Sequence, residues 1–236
     1  MKPKQSIFWE FQYSSQEKPS YIFGTMHVKD SRVFQRVHSV VPYIQLADRY
    51  AAEMALEPAG GSIPTSSFML PKNSSLPHLV GEKKYQKLKS VFHKAFGLDL
   101  DSYQRFLPLF IVNYLTVSIL EENMVHSLDE YLWELAKAAE KDCIGVETLR
   151  EQMNVLKHIS LEQQTQILLN VGKNISKFRK QTLQLTELYL SGDIQQLFLQ
   201  SKQNAGSLRK LLIYNRNKIM ADRIAQYSKE VAYLLQ

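Results

Sequence analysis

Residues 20–27 constrain the fold of this chain more than any other segment, because they form an apolar strand that stops at a glycine and a histidine. Apolar and aromatic residues lead into Gly24, and His27 stands where the strand gives way to a loop. In open α/β sheets, ligands and metals are held at the carboxyl ends of the strands. A glycine there lets a ligand or another backbone approach closely. The segment therefore predicts an α/β sheet with His27 at its ligand-binding edge; the alternative is a histidine that only terminates a strand.

Two further predicted strands carry carboxylates near their ends. One covers residues 48–56 and contains Glu53, and a short buried one covers residues 143–147 and ends at Glu147. If these strands and the one before His27 are parallel neighbours, all three side chains reach one edge of the sheet. An imidazole and two carboxylates could there hold Mn²⁺, Co²⁺ or Zn²⁺, or activate water as a general base. The alternative is that both carboxylates cap helices or pair with basic side chains.

The rest of the chain alternates between one more strand and many helices. Residues 7–13 alternate as a half-buried strand and should form a hairpin with the strand before His27. Asp30 or Ser31 can cap the next helix, which Pro42 should kink or end early. Ser127 begins a capping box that starts another helix. Everything after residue 160 reads as helix, including 208–235, and no strand is predicted in that final third.

This order predicts an α/β fold with a central mixed sheet, a large helical insertion and a helical C-terminal part. We expect one domain over residues 1–236. Its parts are an α/β core over about 1–57 and 142–158, a helical insertion over about 78–141 and C-terminal helices over about 160–236.

Composition narrows the class of protein. The chain has 236 residues, 44% of them hydrophobic, and a net charge of +6. The lysines of residues 83–94 follow helical spacing and predict a solvated helix face rather than a nucleic-acid site. No phosphate-binding loop or Gly-x-Ser-x-Gly motif occurs, and no apolar run reaches the roughly 18–20 residues of a membrane span. The single Cys143 forbids an internal disulfide and suits a reducing, cytoplasmic location, although a leader removed before residue 1 would leave this pattern unchanged.

Several short motifs, in order along nearly the whole chain, together resemble one family. They are Gly24-Thr25-Met26-His27, Ala47-Asp48 with Glu53, Ser127-Leu128-Asp129-Glu130, Gly145-Val146-Glu147-Thr148, Tyr189 with Gly192-Asp193, and Asn215-Arg216-Asn217. In this order the sequence resembles the TraB/GumN group, which includes the Tiki metalloproteases and has a distant likeness to ChaN-type and erythromycin-esterase-type proteins.

The resemblance implies an α/β fold with a helical insertion and a hydrolase-like site that, in the Tiki branch, is proposed to be a divalent-metal peptidase. By position, His27 matches the histidine of the first Gly-x-x-His motif, and Glu53 and Glu147 match the two acidic positions. Arg216 matches the basic residue of the Arg-Asn segment, where its guanidinium could bind a carboxylate or an oxyanion. The alternative for Arg216 is a structural ion pair.

One departure from the family pattern bears on activity. The family carries a second Gly-x-x-His motif on a strand after the Arg-Asn helix, and this sequence reaches Gln236 where that strand should begin. The sequence could be a fragment, a natural remnant or a chain that dimerises to cover the gap. A metal site normally needs three or more protein ligands, so the missing histidine would weaken it.

The expected function is a metal-dependent hydrolase or peptidase that acts on a peptide or a small molecule. The absence of the second Gly-x-x-His motif could impair its activity. Its expected catalytic residues are Glu53, Glu147 and Arg216, and its expected ligands for Mn, Co or Zn are His27, Glu53 and Glu147. The alternative is a catalytically inactive member that binds a peptide or a protein. A small-molecule esterase or haem binder is a third reading that rests on fold analogy alone.

Overall fold

The fold contains a mixed five-stranded sheet. A computed structural model describes residues 6–14, 16–56, 64–229 and 231–236, and within them the strands follow the order β1-β2-β5-β3-β4. Their bounds are Phe8–Phe11 (β1), Ser20–Phe23 (β2), Arg49–Met54 (β3), Asp142–Glu147 (β4) and Tyr233–Leu235 (β5). The predicted α/β class with a mixed sheet is thereby confirmed.

The directions of the strands determine where their carboxyl ends lie. β1 and β2 form the predicted antiparallel hairpin, with Phe8 opposite Phe23. All other neighbours in the sheet are parallel: β2 with β5, β5 with β3, and β3 with β4. The carboxyl ends of four strands therefore meet at one edge.

The last strand is also the central one. Leu234 lies opposite Tyr21 of β2 on one side and Tyr50 of β3 on the other. Tyr233, Leu234 and Leu235 are all almost fully buried. The expectation of a helix over 208–235 and of no strand in the final third is wrong. The helix ends at Tyr227, and burial on both faces of the sheet gives this short apolar segment its extended conformation.

Helices make up most of the remaining chain. They are α1 (Val37–Leu46), α2 (Leu76–Val80), α3 (Glu82–Phe96), α4 (Pro108–Val117), α5 (Leu128–Ala138), α6 (Leu149–Lys157), α7 (Leu161–Lys173), α8 (Ile175–Ser191), α9 (Ile194–Ala205) and α10 (Arg216–Tyr227). The predicted capping box of α5 is present. α1 continues through Pro42 to Leu46, so it does not end early; its buried Val37, Val40 and Ile44 hold it against the core. No helix in the described ranges has the length and apolar character needed to cross a membrane.

The chain divides into two compact units. The sheet unit takes its described residues from 1–57, 121–156 and 184–236, and the helical unit takes them from 58–120 and 157–183. Residues 57–63 lie outside the described ranges. One apolar cluster of the sheet unit joins Ala51, Val146 and Leu235. The core of the helical unit is centred on Phe92, Ile111 and Leu168. The predicted single domain with its internal boundaries stays a prediction.

Gly145 allows β4 to lie close to the end of β3. A Cβ atom at this position would stand 2.5 Å from the backbone nitrogen of Ala55 and 3.0 Å from the carbonyl oxygen of Glu147. Both are backbone atoms, which cannot rotate away as a side chain can. The two backbones approach so closely that only a glycine fits at position 145.

Gly145→Ala should lower the free energy of unfolding by about 1–3 kcal/mol, because the added methyl group forces the backbone of two paired strands apart. Gly24→Ala is the control, since a Cβ there would meet only ordinary contacts at 3.7 and 3.8 Å. Chemical denaturation of both variants checks the prediction. Equal stability of Gly145→Ala and the wild type would contradict it.

Candidate active site at the carboxyl edge of the sheet

The carboxyl edge of the sheet brings together most of the residues that the sequence singled out. His27 follows β2, Glu53 lies near the end of β3, Glu147 ends β4 and Gln236 follows β5. A pocket of about 280 Å³ opens at this edge. Its polar lining is His27, Glu53, Asp129, Gln152 and Gln236. The predicted convergence of strand ends is thus present for His27 and Glu53, whereas Glu147 is not part of the pocket lining.

His27 is oriented by a carboxylate on α5. Its Nδ1 atom lies 2.9 Å from Oδ2 of Asp129, and its side chain is 72% exposed, against 14% for Asp129. Nε2 has no hydrogen-bond partner in the described part of the chain. The hydrogen bond to Asp129 raises the pKa of His27 above 6.5, more than burial lowers it. This arrangement holds one ring nitrogen and leaves the other to face the pocket.

Asp129 is itself held from several sides. Burial alone would raise its pKa, but hydrogen bonds from His27 and Thr25 outweigh burial and keep the pKa below its usual value. Thr25 Oγ1 donates to Asp129 Oδ1 over 2.5 Å, and the Gln236 amide donates to the same oxygen. The hydroxyl of Tyr50 in turn donates a hydrogen bond to Oε1 of the Gln236 side chain. Asp129 is therefore a carboxylate with both oxygens occupied, suited to orienting His27.

Tyr50 fixes the far end of this chain of hydrogen bonds. It is 1% exposed, and burial raises the pKa of its phenol well above the usual value. The phenol therefore stays protonated and donates its hydrogen bond to Gln236. Gln236 also donates its backbone N–H to the carbonyl of Ala51 over 2.8 Å, as the continuation of β5 along β3. We call the set Tyr50, Gln236, Thr25, Asp129 and His27 the His27 network.

Glu147 and Glu53 share a single cation instead of facing each other across a metal. Arg216 Nε donates to Glu147 Oε2 over 2.8 Å, and its Nη2 lies 2.7 Å from the same oxygen. Nη2 also donates to Glu53 Oε1, which accepts a further bond of 2.9 Å from Gln152. The Glu147 side chain is 7% exposed and that of Glu53 is 50% exposed. The alternative that the sequence left open, in which both carboxylates pair with a basic side chain, describes this geometry.

Local backbone structure presents Arg216. A π-helical segment over Lys210–Asn215 runs directly into α10, whose first residue is Arg216. Such segments occur often at functional sites because they change the direction in which side chains project. Burial lowers the pKa of Arg216, but its two carboxylate partners outweigh burial and raise the pKa above its usual value. The guanidinium therefore stays charged.

The described side chains do not fit a metal centre. Within the described ranges, no three His, Cys, Asp or Glu side chains are grouped so that they could hold an ion. His27 and Glu53 line the pocket, but Glu147 is occupied by Arg216. The ligand role that the sequence suggested for His27, Glu53 and Glu147 stays a prediction.

Sequence reasoning missed the residues that complete the His27 network. Asp129 lies in the first turn of α5, where a carboxylate is expected merely because it interacts well with the helix dipole. That general explanation concealed its contact with His27. Gln236 was missed with β5, the strand that places it. The usable signal was the presence of Asp129 in one of the motifs that resemble the family, Ser127-Leu128-Asp129-Glu130.

Comparison with known protein sequences identifies a family for this chain. The sequence model of the TraB/PrgY/gumN family matches residues 7–233. The chain belongs to the TraB/PrgY/gumN family. It is 24% identical to the metalloprotease TIKI1 of Homo sapiens over 98% of this chain and 57% of that protein. It is 27% identical to TIKI1 of Xenopus tropicalis, over 69% of this chain and 38% of the relative, and 24% identical to TIKI2 of Danio rerio, over 95% and 54%.

The resemblance to TraB/GumN and Tiki proteins that the motifs indicated is confirmed by these matches. The chain spans about half the length of the curated relatives it matches, or less. No solved structure matches it.

Asp129→Asn should lower the pKa of His27 toward 6.5, because the hydrogen bond to a carboxylate is the largest cause that raises it. Titration of the His27 ring protons by NMR measures this change. Glu134→Gln removes the same charge from an exposed position of α5 and should leave the titration as in the wild type. A pKa of His27 that is equal in the Asp129→Asn variant and the wild type would contradict the orienting contact.

Arg216→Gln should lower the free energy of unfolding by about 3–5 kcal/mol, because it leaves Glu147 buried without a counter-charge. The double variant Arg216→Gln/Glu147→Gln should recover part of the loss. Arg223→Gln is the control: its partner Glu151 is 38% exposed, so the loss should be nearer about 1 kcal/mol. Urea denaturation of the wild type, the single variants Arg216→Gln and Glu147→Gln, and the double variant gives the coupling free energy. A coupling near zero would show that the pair is energetically unimportant.

Proposed function

We propose that this protein is a hydrolase that cleaves peptide bonds with His27 as its general base. The observation that carries the proposal is the contact between His27 and Asp129 beside the pocket, which leaves Nε2 of the imidazole available. Membership of the family, and relatives described as metalloproteases, support peptides as the substrate class.

The chemistry follows from the orientation of the imidazole. Nε2 of His27 takes a proton from a water molecule as that water attacks the peptide carbonyl carbon. Asp129 stabilises the imidazolium that forms, and the imidazolium then gives its proton to the leaving amine. The bonds to Thr25 and Gln236 hold Asp129 in place, so the imidazole need not reorganise during the reaction.

Arg216 controls the charge at the edge of the pocket. Negative charge develops on the carbonyl oxygen during attack, and an unpaired carboxylate nearby would oppose it. By pairing with both Glu53 and Glu147, Arg216 offsets one of their two negative charges and so reduces this repulsion. In the proposed mechanism Glu53 and Glu147 position Arg216 and do not act as acids or bases.

Whether the activity depends on a divalent metal is a separate question from the role of His27. The relatives carry the name metalloprotease, and His27 and Glu53 are the predicted ligands that line the pocket. Activity must therefore be measured in EDTA and with added Mn²⁺ or Co²⁺.

A second candidate function is peptide binding without cleavage. It is favoured by the engagement of both Glu53 and Glu147 by Arg216. In addition, the described residues contain no group of three or more side chains that could hold a metal. In that case the pocket would bind peptides, and neither wild type nor variants would release products.

His27→Gln should reduce kcat/KM for a fluorogenic peptide about 10²–10⁴-fold, the usual contribution of a general base. His38→Gln is the control, since His38 is exposed on α1 and does not line the pocket. The base must be neutral to act, so the rate should rise as pH increases through the pKa of His27, which lies above 6.5. In Asp129→Asn this rise should move to lower pH.

Three results separate the possibilities. Unchanged kcat/KM in His27→Gln would overturn the role of His27 as base. Activity that appears only with added Mn²⁺ or Co²⁺ would establish metal dependence. Saturable binding of the peptide without products in any condition would favour the second candidate.

A further inference from the structure

We propose that the groove between α3 and α7 of the helical unit binds a free medium-chain fatty acid. The groove has a volume of about 210 Å³. Its apolar lining includes Leu88, Val91 and Leu169, and its basic lining is Lys84, Lys87 and Lys173. The proposal is independent of the hydrolase function, because none of these residues lines the pocket beside His27.

The floor of the groove is apolar. Leu88 is 5% exposed, and Val91 and Leu169 are half-buried beside it. A Cβ atom on Gly172 would stand 2.2 Å from a methyl carbon of Leu88. The glycine thus lets the Leu88 side chain pack directly on the α7 backbone. An alkyl chain in the groove would find hydrocarbon beneath it rather than unpaired backbone polar groups.

The dimensions suit one slender chain. Lys84 and Val91 are two helical turns apart on α3, which is about 10 Å at 1.5 Å per residue. The volume is below the roughly 300–1,000 Å³ that is usual for pockets that enclose drug-sized ligands. A single extended alkyl chain matches a groove of this length and volume.

The charge at the groove selects an anionic headgroup. Lys84, Lys87 and Lys173 are exposed, and none has an ion-pair partner in the described part of the chain. Lys89, on another face of the same helix, is neutralised by Asp101. The lining contains no acidic residue. Three uncompensated ammonium groups beside an apolar floor are complementary to a carboxylate that ends an alkyl chain.

Calorimetric titration of the full chain with decanoate, below its micelle concentration, tests the proposal. Saturable binding is expected, and octanoate should bind roughly tenfold more weakly because two fewer methylene groups are buried. Decanol should bind more weakly than decanoate for lack of charge, and decyltrimethylammonium should not bind.

Matched charge variants locate the site. Lys84→Gln/Lys87→Gln should weaken decanoate binding roughly tenfold, because two charges leave the groove. Lys83→Gln/Lys94→Gln removes two charges from exposed positions of the same helix outside the groove and should bind as the wild type does. Circular dichroism confirms that both variants are folded.

Four outcomes would overturn the proposal. They are no saturable binding of decanoate, equal affinity for octanoate and decanoate, equal loss in the two double variants, and binding of an acidic helical peptide but of no alkyl carboxylate. The second would indicate a headgroup site only, and the third a general effect of surface charge.

Discussion

The structure depends on the insertion of β5 between β2 and β3. This strand pairs with both neighbours, and its three residues are among the most buried of the chain. Without it, the β1–β2 hairpin and the β3–β4 pair would have no hydrogen bonds to each other in the sheet. The same strand places Gln236 against Asp129. One short segment therefore joins the two halves of the sheet and completes the network that orients His27.

Much of the fold could be predicted from residue patterns, and the exception has a physical reason. β2, β3 and β4 are recognisable because their apolar runs are bounded by turn residues, and the capping box at Ser127 marks the start of α5. β5 has only three residues and follows a long helical pattern with no glycine or proline between them. A short apolar run of this kind has no periodicity that separates strand from helix. Only the vacant position between β2 and β3 decides its conformation.

The site could be predicted in its location but not in its pairings. Parallel strands bring their carboxyl ends to one edge, so the neighbourhood of His27 and Glu53 follows from topology. Charge pairing depends on side-chain contacts between residues far apart in sequence. Arg216 and Glu147 are 69 positions apart, and His27 and Asp129 are 102 apart. The consequence is two distinct networks, one in which Arg216 binds both acids and one that orients the imidazole.

The position of β5 also bears on synthesis of the protein. During translation, β2, β3 and β4 emerge from the ribosome long before residues 233–235 are made. Until then, the facing edges of β2 and β3 present unpaired backbone groups, and unpaired strand edges are prone to associate with other chains. The sheet can therefore close only after β5 has been made, because β5 alone pairs with both β2 and β3.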